Sequence, residues 1–568
     1  MLPIRGDGAL VLIGPLTGLG IAGCVACAER ARIAGLTGTL PETDTIAMTG
    51  VVAPAALDLI DTLAREAIES MRPGVQWAVR CDDFTASEHP VRPFGGCEVC
   101  APVPDDARWT LSMGSQPLPD PTVLRAANPR TDTATMRAVL VDWRQGPIRQ
   151  LHRLEGAPMA LVSAEVGDGH GRRQAGFGRG GDFLAAERVA LFEALERVTG
   201  MAPRGRRSTV FGAYRDLAPG AVDPERLGLH DEQYYDHPAF DLVPYSPETP
   251  TQWVHGCALP DGRSVLVPEH VAYWHAPRSV GGHRVRMLYE SSNGCGLGNS
   301  LAEAILYGLL EVAERDAFLM AWYAQTALPA IAVPTDDLDV ADLADQLDAL
   351  DHDLLLFDAT NDFGIPVVIS MTLRRTRDPD RPNALFAAGA HPDPRVAIRS
   401  AVAEVVLDAR NAADSRIGRF EPERLRPMLE NPTLVRTMDD HVAVNGLAEA
   451  RDRYAFLLDS RESQAWHEIW PDRPWIPDLG HYLAETVRRL AAAGLDVIAV
   501  DQSESVSREL LGLHAAKVIV PGSLPMTFGE VYRRTRGLPR LLEVPAALGR
   551  ASAALRYADL PLYPHPFP

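Results

Sequence analysis

The residues best equipped for chemistry lie in one stretch, which begins Ser291-Ser292-Asn293-Gly294-Cys295-Gly296-Leu297-Gly298-Asn299-Ser300 and runs on through Glu303 to Glu311, Glu314, Arg315 and Asp316. A polar, glycine-rich turn gives way to a helix. Asn299 or Ser300 is placed to cap it, and Glu303 falls in the first turn, where a carboxylate meets the positive end of the helix dipole. At about 100° per residue, Glu303, Glu311 and Glu314 project within an arc of roughly 80°. Leu301, Ile305, Leu309, Val312 and Leu319 fall on the opposite side, the face expected to pack on a core. Three carboxylates on one stripe repel one another unless something positive sits among them, and a hard cation shared with substrate phosphates is the chemistry that suits them.

The pattern has an echo upstream. Glu193, Glu196 and Arg197 repeat the Glu-x-x-Glu-Arg spacing of Glu311, Glu314 and Arg315. Glutamates three apart are neighbours on a helix face. Two solvated faces are one reading. The apolar runs around both pairs, where unpaired charge is costly, are the argument for a cation site instead.

These side chains need elements to position them. The glycine-rich turn Gly176-Phe177-Gly178-Arg179-Gly180 precedes the first acidic helix. Such turns let backbone N–H groups approach phosphate oxygens, and Arg179 is placed to neutralise phosphate charge. The turn lacks the Walker spacing. Residues 158–166, 367–373, 385–390 and 497–501 read as strands, and residues 394–413 as a helix carrying Arg399 and Glu404. Residues 201–250 read as a surface insertion near a peptide substrate. Arg533, Arg534, Arg536 and Arg540 form a basic cluster, read either as a solvated helix face or as a phosphate or peptide contact.

A chain of 568 residues predicts two to four domains. A net charge of -20 argues against broad binding to a nucleic-acid backbone. No uncharged run approaches membrane-spanning length, and the apolar stretch 9–16 behind Asp7 reads as a strand, not a signal peptide. Seven cysteines do not suggest a secreted disulfide framework. A cytoplasmic enzyme is expected, with no nucleic-acid or membrane partner.

Residues 1–104 form the first unit, with a helix expected over 54–71. Cys24-x-x-Cys27 opens one helical stretch and Cys97-x-x-Cys100 closes the unit. Two such knuckles are the ligand set of a tetrathiolate zinc site; a redox pair or separate buried thiols are the other readings. Gly18–Gly23 has the Gly-x-Gly-x-x-Gly spacing, but it lies between a proline turn and a knuckle, which argues against a nucleotide loop. Residues 105–135, rich in Pro, Asp, Thr and Ser, mark a linker to a catalytic domain over 136–568.

At these residues the chain resembles the YcaO family. The Ser-Asn-Gly turn with Asn299, Glu303, Glu311, Glu314 and Arg315 is similar to its central motif, and Glu193-x-x-Glu196-Arg197 is similar to its other acidic motif. Residues 388–394, 497–502 and 517–526 match further landmarks in order. The resemblance covers 136–568 and implies an α/β fold of mixed sheets and packed helices that binds ATP, beside the small N-terminal zinc-bearing α/β domain. It implies that Arg179, Glu193, Glu196, Arg197, Asn299, Glu303, Glu311, Glu314 and Arg315 contact nucleotide, with Glu193, Glu196, Glu311 and Glu314 holding Mg2+. Where the family often has a glutamine, three residues after Glu404, this chain has Leu407.

The tail, residues 560–568, alternates prolines, which pre-set a stiff, extended chain. By itself it reads as a disordered tail or a proline-groove ligand. Its closing Pro564-His565-Pro566-Phe567-Pro568 resembles the signature of azoline-forming members, whose C-terminus reaches the active site; this implies catalytic roles for Pro564, His565, Pro566 and Pro568. The 1–104 unit resembles the zinc-bearing end of E1-like (ThiF-like) partner proteins, which implies a docking remnant and a separate leader-binding partner. The expected activity is ATP- and Mg2+-dependent cyclodehydration of Cys, Ser or Thr in a ribosomally made precursor peptide, with structural Zn2+, as a homodimer, and with a dehydrogenase acting on the azoline. Thioamide or amidine formation on the same fold, and a non-catalytic precursor-binding scaffold, are the alternatives.

Overall fold

The computed structural model describes the chain except residues 19–22, 36–51, 112, 156–158, 168–172, 260, 276–284, 415–419, 460, 461 and 473. Most of Gly18–Gly23 therefore lies outside the described residues. Near the N-terminus, strands Ile4–Asp7, Leu10–Ile13, Val75–Arg80 and Ala86–Pro90 form an antiparallel sheet in chain order. The amphipathic helix Pro54–Ser70 covers it, its Ile60 and Leu63 packing on Val11, Ile13 and Val79. Beyond residue 135 lie three further antiparallel sheets of three or more strands. Gln150–Leu154, Ala160–Gly167 and Arg173–Gly180 make one. Arg263–Pro268, Pro250–Leu259, Val497–Asp501, His514–Ile519 and Cys295–Gly298, in that order, make the second, with Val210–Ala213 paired at Pro250–Leu259. Ala330–Ile331, His352–Asp358, Val367–Arg374 and Ala384–Ala390 make the third. The architecture is mixed α/β, sheets with packed helices.

Three strand–helix units carry the rest. Strand Arg173–Gly180 leads into helix Phe183–Met201, Cys295–Gly298 into Leu301–Ala324, and Ala384–Ala390 into Pro394–Ala413. Gly176–Gly180, expected as a turn, is thus part of a strand, because alternate glycines let a helix lie directly on it. In each unit a strand glycine (Gly178, Gly296, Gly389) is followed four residues later by the helix cap (Asp182, Ser300, Asp393), whose side chain accepts a backbone N–H of the first turn. A Cβ on those glycines would lie 1.8 Å from the Ala186 carbonyl oxygen, 2.2 Å from that of Ala304 and 2.4 Å from that of Ala397. The sequence echo is therefore threefold in space.

The central helix Leu301–Ala324 is buried on nearly all sides, not on one face alone. Its first half packs against Val518 of the second sheet and Val520 just beyond it, and Phe318 and Trp322 of its second half against Phe386 and Ala388 of the third. Helix Phe183–Met201 lies on the same second sheet through Leu195, Val198, Cys295 and Leu297. The proline-rich stretch 105–135 has little regular structure but is bound along this core. Leu118 and Leu124 pack with Ile305 and Leu309, Trp109 Nε1 donates to the His255 carbonyl at 3.1 Å, and Arg125 reaches the central helix.

Gly296→Ala is expected to lower stability by about 3 kcal/mol, because backbone and not a flexible side chain blocks the new methyl. Gly181→Ala, where the same Cβ meets nothing within 4 Å, should be near neutral. Urea unfolding of the two variants checks this.

Candidate active site

Each of the three helices carries a glutamate 11 residues after its cap: Glu193, Glu311 and Glu404. That is three turns along, so each carboxylate emerges at the same height of its helix. Backbone amides and arginines receive them. Glu193 accepts the Phe177 N–H at 2.8 Å and pairs with Arg197 at 2.7 Å. Glu311 accepts the Gly294 N–H at 2.9 Å and pairs with Arg315 at 2.9 Å. Glu314 accepts the Ala390 N–H of the third unit at 2.9 Å. Arg179 reaches Glu404 at 3.3 Å, and its other terminal nitrogen is buried without a hydrogen bond.

The groups feel one another across units. Burial, then Glu311 and Glu193, push the Glu196 carboxyl well above the usual range against Arg197 and Arg315. Burial, then Glu404, raise Glu314 to about 8, with Glu311 adding to the rise and Arg315 opposing it. Burial and Glu404 also raise Asp408 to about 8, opposed by Arg179. The structure therefore brings together Arg179, Glu193, Glu196, Arg197, Glu311, Glu314 and Arg315, and adds Glu404 and Asp408. Asp408 went unnoticed in the sequence because its helix has Leu407 and Asp408 where the other two have Glu and Arg. The signal was positional: the glycine–cap–glutamate spacing occurs a third time.

Two expected residues stand apart from this cluster. Glu303 is fully buried, two turns earlier on the central helix, and its oxygens accept from Arg125 at 2.8 Å and from the Ala126 N–H at 2.7 Å. Asn299 donates to the Ala126 carbonyl at 2.7 Å. Both residues fasten the 125–131 segment to the helix start, and Ser300 is the cap. The basic cluster is neither a solvated helix face nor an open phosphate patch. Arg533 pairs with Glu530, Arg534 with Glu290 at 3.2 Å, Arg536 with Asp231 at 3.2 Å and Arg540 with Asp316 at 2.9 Å.

Pro564, His565, Pro566 and Phe567 are buried, and Pro568 is partly exposed. The Phe567 ring meets Phe318 edge-on at 4.8 Å and lies 5.2 Å beneath the Arg315 guanidinium, so the tail arrives at the acidic cluster. His565 donates Nε2–H to the Thr527 carbonyl at 2.8 Å and stacks on His441 at 4.3 Å, leaving Nδ1 buried and unbonded. Burial, then His441, hold its pKa far below the ordinary value.

A second cluster lies in the N-terminal unit. The sulfurs of Cys24, Cys27, Cys97 and Cys100 all lie within 4.8 Å of one another, with separations of 3.9, 3.7 and 3.3 Å among them. Four thiolates around a tetrahedral Zn2+ sit about 3.8 Å apart, so the donor set fits that ion. Burial opposes ionisation of Cys97, but the backbone amides of Cys100 and Val99 and the neighbouring cysteines outweigh it and bring its thiol to about 7.

A family model described as YcaO cyclodehydratase, ATP- and Mg2+-binding, matches residues 177–524. The chain belongs to the YcaO family. The match contains all three acidic helices and stops short of both the tail and the four cysteines. An uncharacterized protein of the tfuA 3′ region of Rhizobium leguminosarum bv. trifolii is 28% identical over 260 residues, which are 43% of this chain and 57% of that protein, so little more than half of its length is spanned. An uncharacterized protein of Methanothermobacter thermautotrophicus is 26% identical over 352 residues, 61% of this chain and 80% of that one. A solved heterocyclase in complex with substrate and cofactor shares the fold with a TM-score of 0.76 at 21% identity, over 100% of this chain and 77% of that one. No helix among the described residues is long and apolar enough to cross a membrane.

The acidic cluster predicts a pH signature. Glu314 and Asp408, at about 8 when folded, hold protons that the unfolded chain has released. The buried histidines push the slope the other way until the unfolded chain has released their protons, which is largely complete above about pH 7.5, and from there the carboxyls set it. Melting of the EDTA-treated protein should therefore fall from about pH 7.5 to about pH 8.5. Added Mg2+ with a non-hydrolysable nucleotide should raise it, more so at the higher pH, because only ionised carboxylates hold the cation. A melting temperature that climbs over the same range without metal would contradict this.

Proposed function

We propose that this YcaO protein performs ATP-dependent cyclodehydration of Cys, Ser or Thr residues in a ribosomally made precursor peptide, giving thiazoline or oxazoline rings. The observation that carries the reading is the convergence of Glu193, Glu196, Glu311 and Glu314 with Arg179, Arg197 and Arg315 at the point where the 564–568 segment arrives. The side-chain thiol or hydroxyl adds to the preceding amide carbonyl. That addition closes the ring, the resulting oxyanion takes the γ-phosphoryl group of ATP, and loss of phosphate together with the amide proton forms the C=N bond of the azoline. Phosphoryl transfer is chiefly positioning and charge neutralisation. Glu193, Glu196, Glu311 and Glu314 would hold Mg2+, which would supply charge to offset the phosphates. Arg197 and Arg315 orient those glutamates from the same helices, Arg179 is aimed at the third unit's Glu404, and Glu303 and Asn299 keep the helix start in place. The tail, residues 564–568, organises proton transfer, with His565 Nδ1 free of a hydrogen bond.

The remaining features fit a multi-part system. Residues 1–104 serve as a docking unit built on structural Zn2+, and residues 105–135 tie that unit to the catalytic domain over 136–568. A separate leader-binding protein presents the precursor, the enzyme works in the cytoplasm as a homodimer, and a dehydrogenase acts on the azoline product.

Mass spectrometry of a candidate precursor incubated with the protein, its leader-binding partner, ATP and Mg2+ is the direct test. One water mass should be lost per modified residue, matched by released phosphate and abolished in Glu311→Ala, with a loss of at least about 100-fold. Peptide binding without mass change or phosphate, under conditions where a known enzyme of this class works, would favour the scaffold. For the zinc unit, elemental analysis should find one Zn2+ per chain, lost in Cys97→Ser along with a cooperative melting step.

A further inference from the structure

Four side chains close on four consecutive carbonyls of the tail. Arg533 donates to Leu562 O at 2.9 Å, Trp322 Nε1 to Tyr563 O at 3.0 Å, Asn445 Nδ2 to Pro564 O at 2.9 Å and His441 Nδ1 to His565 O at 2.9 Å. None of the four donors is more than 5% exposed. They come from separate places: Trp322 from the central helix, His441 and Asn445 one turn apart on helix Met438–Asn445, and Arg533 from the stretch after the short turn Glu530–Tyr532. Two of them are held in their donating pose by further hydrogen bonds. His441 Nε2 accepts the Gly529 N–H at 3.0 Å, which fixes the ring proton on Nδ1, and Asn445 Oδ1 accepts from Arg453 at 3.3 Å. Arg453 also lies 5.0 Å over the Tyr563 ring.

The chemistry of the two partners matches. Pro561, Pro564 and Pro566 have no N–H, so the segment offers mainly carbonyls, and the wall facing it offers donors. A residue with an N–H at 564 or 566 would bring a buried donor against donors. We propose that Arg533, Trp322, Asn445 and His441 form a groove specific for a peptide segment with prolines at alternate positions, read through its carbonyls, and that residues 562–568 of this chain fill it, entering at Leu562 with φ 46° and seating Phe567 beneath Arg315. The four are positioning residues, acting on Arg315 and Glu311 only through the tail they hold.

The test uses the full chain and two readouts. In Trp322→Phe, which removes one N–H and keeps a ring, and in Asn445→Asp, which keeps the acceptor and removes the donor, His565 should react with diethylpyrocarbonate about tenfold faster, the worth of one buried hydrogen bond. His270, buried elsewhere, serves as the unchanged internal control. Separately, a chain carrying Pro564→Ala and Pro566→Ala should bind a fluorescent peptide of the native residues 558–568, and adding Trp322→Phe should abolish that binding. If Asn445→Asp fails to fold, Trp322→Phe decides. Protection of His565 in a folded Trp322→Phe chain, or peptide binding indifferent to Trp322→Phe, would overturn the groove. Neither readout needs ATP or precursor, so both are independent of the reading of the reaction.

Discussion

Like charges converge in this molecule, and much of the surrounding structure answers that repulsion. Two carboxylates 4 Å apart repel by about 4 kcal/mol at the effective dielectric near a protein surface. Glu193, Glu196, Glu311, Glu314, Glu404 and Asp408 come from three helices into mutual electrostatic range. The chain answers with Arg179, Arg197 and Arg315 and with the N–H groups of Phe177 and Ala390, in the strands of their units, and of Gly294, in the turn just before its strand. Burial first, and then Glu404, hold Glu314 and Asp408 up to about 8 despite these partners. Buried carboxylates gathered from three helices are a donor set that suits a hard cation, which agrees with the ATP- and Mg2+-binding character of the family.

Convergence requires helices close to strands, and that is the work of the glycines. Gly178, Gly296 and Gly389 each place helix backbone where a Cβ would otherwise sit. This part of the fold was legible in the sequence only to the extent that motif types repeat. Two Glu-x-x-Glu-Arg motifs are visible as letters. The third unit is visible only as spacing, because Leu407 and Asp408 replace the acidic and basic partners. Composition was a partial guide to 105–135. Proline and aspartate forecast the lack of regular structure, but not whether the segment would be buried. That depends on Leu118 and Leu124 finding the central helix and on Arg125 neutralising Glu303, contacts between residues more than 170 positions apart. The arginines at 533–540 misled for the same reason: a charge run is solvated only if no carboxylates lie across from it, and Glu290, Asp231 and Asp316 do.

The tail reverses the case. Its stiffness could be read directly, and so could its resemblance to a family ending, but its path could not. Trp322, His441, Asn445 and Arg533 share no motif or periodicity, and they become a set only when folding lines up their donors. Prolines at alternate positions lower the entropy lost on docking, so a few hydrogen bonds suffice to hold the segment in one pose.

The acidic cluster and the tail meet on one side chain. Arg315 pairs with Glu311 through one terminal nitrogen at 2.9 Å, and its guanidinium carbon lies 5.2 Å over the Phe567 ring. A guanidinium can do both at once because its donors lie in the plane and its charge is spread across it; a lysine ammonium, a point charge on a flexible stem, cannot satisfy both partners in one geometry. The second arginine of the echo, Arg197, binds Glu193 in the same i,i+4 fashion. One acidic motif is therefore tied to its own helix, while the other is tied to its helix and to the tail. A displacement of Phe567 is felt at Glu311 through a single shared group, which makes the carboxylate geometry of the cluster depend on how residues 562–568 are seated.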